Sequence, residues 1–537
     1  MSEIKKFIIK DFIDNNDDKN NIIYFNLRRS DNCNDKNIYL LNYVENNDEI
    51  YKKKFISFTD SLVSDSETFN ELFYSSVFEK NPFKIDVCTG IQLIALNDIL
   101  IENKIIISNT KIRNKKLYET IKFIKLKKIS LLYIFKENTK NFLSKYKFFF
   151  RILLKEKLFK KIINIDNNAN VFICFNIDYK TYFPIKILKK KDYVINLNFF
   201  DKNLPNKNLV NISDITSFVC VLIKNFTNFK NFLKFNYYFF VSNKKNFYLM
   251  YFYYFEFIKS LYGAIKIEND IYFNAFKNLN KNIKKNNKIF YTCEFSTWEF
   301  ILNKNIENKN KYAYFATTIR FWVLNFFFTK KGFFKLSNFQ LLPDMYLLNG
   351  KFQQKILNYL PRKKTRIVEA SRYNYLLNFN NKIRSKKIKK NNVLILGDFS
   401  NIINKKLIDF SSEVFTHNKN YNFYFKEHPS FKIKSHIPTF IKTYNNKYTN
   451  LNLFQYFIIS NTSMIMELLY LKKDIILINS NNLNYSPLYK YFNCKFYNKY
   501  NLNKKYFQKI NYPKNYFYFD LCNTKWNAII NEYSKKN

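Results

Sequence analysis

YFIISNTSMIMELLYLKKDIILINS, residues 456–480, reads as strand, short polar turn, helix, strand. The apolar runs 456–459 (YFII) and 475–478 (IILI) are strand-length, and 460–471 has helical spacing. A helix joining two short apolar strands is the repeating unit of a parallel α/β sheet. The turn Ser460-Asn461-Thr462-Ser463 stands where the helix begins. Ser, Thr and Asn are good N-caps. Free N–H groups and the helix dipole also make such a turn an anion site, to which hydroxyls at 460, 462 and 463 add donors. Glu467 follows Ser463 by four residues and shares its helical face. From this segment alone, capping and anion binding remain equal readings.

Working outward, 421–425 (YNFYF) is a strand that ends in Lys426-Glu427-His428-Pro429, and 393–396 (VLIL) is a strand that ends in Gly397-Asp398. Ligands of doubly wound sheets bind beyond the C-terminal ends of the strands. His428 is placed there to donate to a phosphate oxygen, and Lys426 to add positive charge. Gly397, one of only 5 glycines, suits a close backbone approach, with Asp398 and Ser400 pointing into a cleft. Residues 524–535 read as a terminal helix. Upstream, the short apolar runs 104–108 (KIIIS), 130–135 (SLLYIF), 193–199 (YVINLNF) and 237–241 (YYFFV) alternate with helical stretches. The expected fold class is α/β, with two Rossmann-like doubly wound domains facing a central cleft. The expected division is 1–377, a basic linker 378–392 (polar and poor in apolar residues), 393–523, and the helix within 524–537.

With 537 residues and 47% hydrophobic content, the chain has enough core for more than one domain. Aromatics at 20% argue against disorder. Ordinary usage of about 7% would give roughly 38 glycines. The crowding of Lys, Asn, Ile, Phe and Tyr instead follows A/T-rich codons, so the net charge of +47 reflects compositional bias first. Seven cysteines without a CxxC pair read as reduced thiols, and three histidines without HExxH leave no zinc motif. No metal and no cofactor are expected. The N-terminal 18 residues are broken by charge and do not read as a signal peptide. The aromatic run 247–258 carries Glu256 and is too short to span about 30 Å of hydrocarbon. A cytoplasmic location follows, with peripheral contact to an anionic membrane surface open to such a basic chain.

The pairing of KEHP (426–429) with SNTSMIMELLYLKKDIILI (460–478) resembles the C-terminal domain of GT-B glycosyltransferases of bacterial surface polysaccharide synthesis. Sialyl-, polysialyl- and Kdo transferases and glycerophosphotransferases of teichoic-acid type share this pattern. The resemblance implies that His428 binds the donor phosphate and assists its departure. Ser460, Thr462 and Ser463 would bind phosphate, and Glu467 would approach the ribose or the phosphate-binding turn. Lys472-Lys473-Asp474 departs from the pattern, which has a Gly and often a Pro before the last strand. The segments 293–302, 314–327, 341–350, 367–377 and 393–400 extend the likeness over about 230–537, to a family of surface carbohydrate biosynthesis proteins. That resemblance implies a nucleotide-sugar donor and a polysaccharide or lipid-linked glycan acceptor. It makes a CMP-linked acidic sugar the preferred donor.

An inverting transfer needs a base, and an apolar setting raises a carboxylate toward the useful range. Glu294 is the first candidate; helix capping or ion pairing is the competing role. Glu299, Thr317, Arg320 and Asp344 are further cleft candidates, with Gly350 allowing an unusual turn. No DxD pair and no P-loop is present, which disfavours metal-dependent transfer and kinase chemistry. Three other readings compete: a glycerol- or ribitol-phosphate transferase on the same fold, a non-catalytic scaffold, and a nucleic-acid-binding protein. Lysines scattered without a basic helix weigh against the last, so no nucleic-acid partner is expected.

Overall fold

The computed structural model describes residues 5–13, 21–28, 37–65, 70–155, 164–175, 191–198, 209–227, 229–241, 246–377, 391–429, 431–433, 436–445, 451–480, 482–498, 500–501, 505–513 and 515–532. Most of the expected linker (378–390) lies outside them. So does Phe199, the last residue of the run 193–199.

Three parallel sheets organise the chain. The first is formed by β1 (Lys6–Lys10), β2 (Ile22–Tyr24), β3 (Ile38–Tyr39) and β4 (Ile106–Lys111), in the order β3-β2-β1-β4. The second comprises β5 (Asn170–Cys174), β6 (Tyr193–Asn196), β7 (Leu209–Asn211), β8 (Lys288–Thr292), β9 (Lys311–Tyr314), β10 (Met345–Leu348) and β11 (Thr365–Ile367). Its order is β11-β10-β9-β8-β5-β6-β7. The third comprises β12 (Asn392–Leu396), β13 (Asn422–Lys426), β14 (Ile441–Thr443), β15 (Tyr456–Ile459), β16 (Asp474–Ile478) and β17 (Phe496–Tyr497), ordered β14-β13-β12-β15-β16-β17. In both larger sheets the chain winds outward one way from the first strand, then restarts beside it and winds the other way. That is the Rossmann order, with switch points between β5 and β8 and between β12 and β15. The α/β class and the two Rossmann-ordered sheets expected from the sequence are present. The separate four-stranded sheet is an addition that the sequence reading did not distinguish.

The third sheet is buried on both faces, as its continuous apolar runs require. Leu394, Leu396, Phe457, Ile459 and Leu477 pack on one side; Val393, Ile395, Phe425, Ile458 and Ile476 pack on the other. The first two sheets share a single core that contains Ile9, Ile23, Ile173 and Ile289. The helix Thr524–Asn531 returns to the second sheet, where Trp526 is fully buried against Phe290, Tyr314 and Leu347. Glu369 caps this helix. Its carboxylate accepts from the N–H groups of Lys525 (2.9 Å) and Trp526 (3.0 Å), and its carbonyl accepts from Trp526 Nε1 at 3.0 Å. At the other helix end, buried Lys288 donates to the Ile529 and Ile530 carbonyls, the favourable site for a cation.

Two apolar runs are helical instead of extended. Residues 130–135 lie largely in the helix Leu131–Lys155, and 237–241 close the helix Phe229–Val241. The aromatic run 247–258 forms two short buried helices, Phe247–Phe252 and most of Tyr254–Leu261. No helix among the described residues is long and apolar enough to cross a membrane.

Candidate active site

The C-terminal edges of all three sheets meet at one cleft. A cavity of about 480 Å³ is lined by Asn26 beyond β2, by Phe83 and Asp86, by Ser400 beyond β12, by Asn461 beyond β15 and by Tyr485 beyond β16. The second sheet reaches the same place through Arg320, beyond β9. Its guanidinium donates to the carbonyls of Asn461 (2.8 Å) and Tyr485 (3.1 Å). Arg28, beyond β2, ties the first sheet to the third. It donates to the Ser480 and Asn482 carbonyls and pairs with both oxygens of Glu45.

At the switch point of the third sheet, Asp398 and Ser460 stand on adjacent strand ends. Asp398 Oδ2 accepts from the Asn461 N–H at 3.3 Å. Asp398 Oδ1 and Ser460 Oγ are buried and have no hydrogen-bond partner among the described residues. Both stand in the crevice of the switch point, where ligands of doubly wound sheets bind. Burial raises the Asp398 carboxyl, opposed by the N–H groups of Asn461 and Phe399 and by the charges of Arg320 and His428. His428 is half-buried, its ring 6.2 Å from that of Phe399. Burial lowers its basicity and Asp398 works against that. Lys426 is likewise lowered by burial. Gly397 is needed for close approach: a Cβ there would lie 3.0 Å from the Lys426 carbonyl oxygen and 3.3 Å from the His428 nitrogen.

The polar turn differs from expectation. The helix runs only over Ile465–Tyr470, with Met464 at its N-cap. Thr462 Oγ1 accepts from the Met464 N–H at 3.3 Å and makes 461–464 a turn. Thr462 and Ser463 are half-exposed at the cleft, whereas Glu467 is buried. Burial raises the Glu467 carboxyl; a hydrogen bond with Tyr375 and the charge of Arg372 oppose it.

Glu294 stands beyond β8, at the switch point of the second sheet. The residue is exposed at its surface, with protein atoms crowded around it. Its carboxyl is raised first by this enclosure and then by Glu79; Lys84 and Arg372 oppose the shift. The next residue, Phe295, has φ 53°, a left-handed conformation that a bulky residue rarely adopts. Glu299 holds this turn. Its carboxylate accepts from the N–H groups of Glu294 (2.8 Å), Phe295 (3.2 Å) and Ser296 (3.1 Å), closing a capping box on the helix Thr297–Asn305. Asn325 adds a 2.6 Å bond to the Glu294 carbonyl.

Glu299 is therefore not a substrate-facing group, as the sequence suggested, because backbone donors occupy both its oxygens. Asp344 is also corrected. It precedes β10, at the N-terminal edge, and accepts from the Lys311 N–H at 3.0 Å, away from the cleft. Thr317 is half-buried, and its carbonyl accepts from Gln353. Gly350 is extended (φ 176°), and its role is close approach: a Cβ would fall 2.2 Å from the Tyr516 carbonyl oxygen.

Burial pushes Glu299 up to about 8, from the ordinary carboxyl value of 4.5. A carboxyl raised in the folded state binds more protons there than in the unfolded chain between those values. Its contribution to stability therefore falls as pH rises through that window. The stability lead of the wild type over Glu299→Gln should shrink between about pH 4.5 and pH 8, read as urea midpoints at each pH.

No family model matches the chain, and no curated protein matches it in sequence. Among solved structures, it is similar to the UDP-N-acetylglucosamine 2-epimerase from Rickettsia bellii: 10% identity over 59% of this chain and 81% of that one, TM-score 0.35. The UDP-GlcNAc 2-epimerase from Methanocaldococcus jannaschii shows 13% identity over 58% and 83%, TM-score 0.33. The trehalose-6-phosphate synthase OtsA shows 9% over 59% and 85%, TM-score 0.29. The fold rests on the strand order.

Arg372 was not singled out from sequence. Its charge acts on Glu294, Arg320 and Glu467, so it stands between the second and third sheets. One signal was available: cations here are mostly lysine, and arginine is kept where a fork is needed. Glu79 and Lys84, paired at 2.8 Å, come from a segment more than two hundred residues before Glu294 and carried no signal.

Proposed function

We propose that the chain is a GT-B glycosyltransferase that moves a sugar from a nucleotide donor to a surface polysaccharide or glycolipid acceptor without a bound metal. The observation that carries this reading is the pair of buried polar groups without a partner among the described residues, Asp398 Oδ1 and Ser460 Oγ, at the switch point of a Rossmann-ordered sheet. In this reading residues 393–523 bind the donor and 1–377 the acceptor. Ser463, Thr462, His428 and Lys426 take the donor phosphate, and Glu467 and Arg372 lie behind them. Glu294 removes the acceptor hydroxyl proton as the acceptor oxygen bonds to the anomeric carbon. The bond from that carbon to the phosphate oxygen breaks, and His428 stabilises the departing charge. Arg320 and Arg372 favour an acidic sugar, and CMP is the preferred carrier. The enzyme works in the cytoplasm, at the inner face of the membrane.

A thermal-shift screen with CMP, CDP, UDP, GDP and dTDP tests this. A nucleotide at about 100 times its dissociation constant stabilises by about 2.7 kcal/mol. One nucleotide should stabilise the wild type and fail to stabilise His428→Ala. Stabilisation by RNA or DNA and by no nucleotide would overturn the reading. Transfer of a polyol phosphate from a CDP-linked polyol to the acceptor with CMP as the leaving group, in place of sugar transfer, would select the glycerol- or ribitol-phosphate transferase.

A further inference from the structure

We infer that the outer face of the helix Leu131–Lys155 docks this protein onto an anionic lipid bilayer. The inference rests on the membrane contact proposed above and on no part of the transfer chemistry.

The helix has 25 residues and is about 37 Å long. One face is fully used. Tyr133 packs edge-on to Phe255, and Asn138 donates to the Tyr254 hydroxyl at 3.1 Å. Lys145 lies 3.6 Å over the Tyr262 ring, and Phe148 and Phe149 pack on Phe218 and Ile271. The opposite face is also apolar, yet it meets solvent. Leu132 is 82% exposed, Phe135 72%, Leu143 64% and Phe150 58%, with Phe142 and Tyr146 between them. These positions recur every three or four residues and form one stripe along the helix. The helix Phe229–Val241 reaches the same Tyr262 through its Phe232 ring and carries exposed Leu233 and Tyr237.

Contiguous exposed apolar surface of this extent marks an interaction site. Charge decides the occupant. Lys136, Lys140, Lys147 and Arg151 are exposed and follow one edge of the stripe at helical spacing. Glu137 is the only carboxylate in the helix, and it pairs with Lys140. A second copy meeting this face would bring the two rows of cations together. A nucleic acid would leave the apolar stripe uncovered. An anionic bilayer satisfies both, with the stripe entering the acyl boundary and the cations meeting lipid phosphates, as in interfacial amphipathic helices.

Flotation of the full chain with vesicles tests the inference. The wild type should float with equimolar phosphatidylcholine and phosphatidylglycerol and bind pure phosphatidylcholine far more weakly. Each lysine near an anionic surface is worth about fivefold in partition, so Lys136→Gln/Lys147→Gln should lose about 25-fold. Phe135→Ser/Phe142→Ser/Phe150→Ser should abolish flotation. The substituted side chains are solvent-exposed, so both variants should unfold at the wild-type temperature and keep the wild-type nucleotide response. That response separates failure of docking from failure of the donor reading. Unchanged flotation of both variants, no flotation of the wild type, or self-association through this face in place of flotation would overturn the inference.

Discussion

Glu294→Gln is expected to slow sugar transfer by about 10²–10⁴-fold, the usual contribution of a positioned general base, while nucleotide binding is kept. The amide keeps the size and shape of the side chain, and the turn that presents it is held by backbone bonds to Glu299 and Asn325. The loss should fall on kcat, because proton removal belongs to the transition state and not to donor binding. Glu294 is suited to this role. Its enclosure and the neighbouring Glu79 raise the carboxyl, and Arg372 and Lys84 keep part of its ionised form. A normal kcat would remove Glu294 from the mechanism. A lost thermal shift with the nucleotide would place it in the donor site instead.

Trp526→Ala is expected to cost about 3–5 kcal/mol, the range for removing a large buried aromatic side chain. Trp526 is fully buried, stacks edge-on with Tyr314 at 5.0 Å and gives its indole N–H to Glu369. Its removal leaves a cavity on the face of the second sheet that it covers and takes one donor from the Glu369 carbonyl, which keeps the Ser371 N–H. The helix Thr524–Asn531 would lose its main anchor there, leaving Ile529 and Ile530 and the bonds from Lys288. The check is urea unfolding, read as a fall in midpoint at unchanged slope. A small effect would mean that the helix contributes little to the stability of the second sheet.

The third sheet was legible because its strands are short apolar runs bounded by polar turns, and both faces are buried. Runs 393–396, 456–459 and 475–478 each lie within a strand of the structure, extended by at most one residue. Upstream, Phe and Tyr occupy both faces of the helices. Leu131–Lys155 is apolar on its buried side and on its exposed side, so periodicity could not separate helix from strand in 130–135. For the site, position at a strand's end was the readable feature. It placed Asp398, His428 and Ser460 at C-terminal edges, whereas Glu294 was chosen for its apolar setting and only the structure puts it beyond β8. It failed for Asp344, which lies before its strand where the sequence reading took it into the cleft. Arg372 and Glu79 reach the site by tertiary packing, which no local pattern records.

The central claim is that the nucleotide sits where the three sheet edges converge, and a crystal structure of the complex with the nucleotide selected by the screen locates it directly. The account predicts its phosphates beyond the ends of β12 and β15, within hydrogen-bond reach of Ser463 and His428, with Ser460 Oγ satisfied. A second recess of about 660 Å³ lies at the opposite edge of the same sheet, lined by Tyr470, Lys472, Lys509 and Tyr512. Nucleotide bound there, with the cleft empty, would contradict the account.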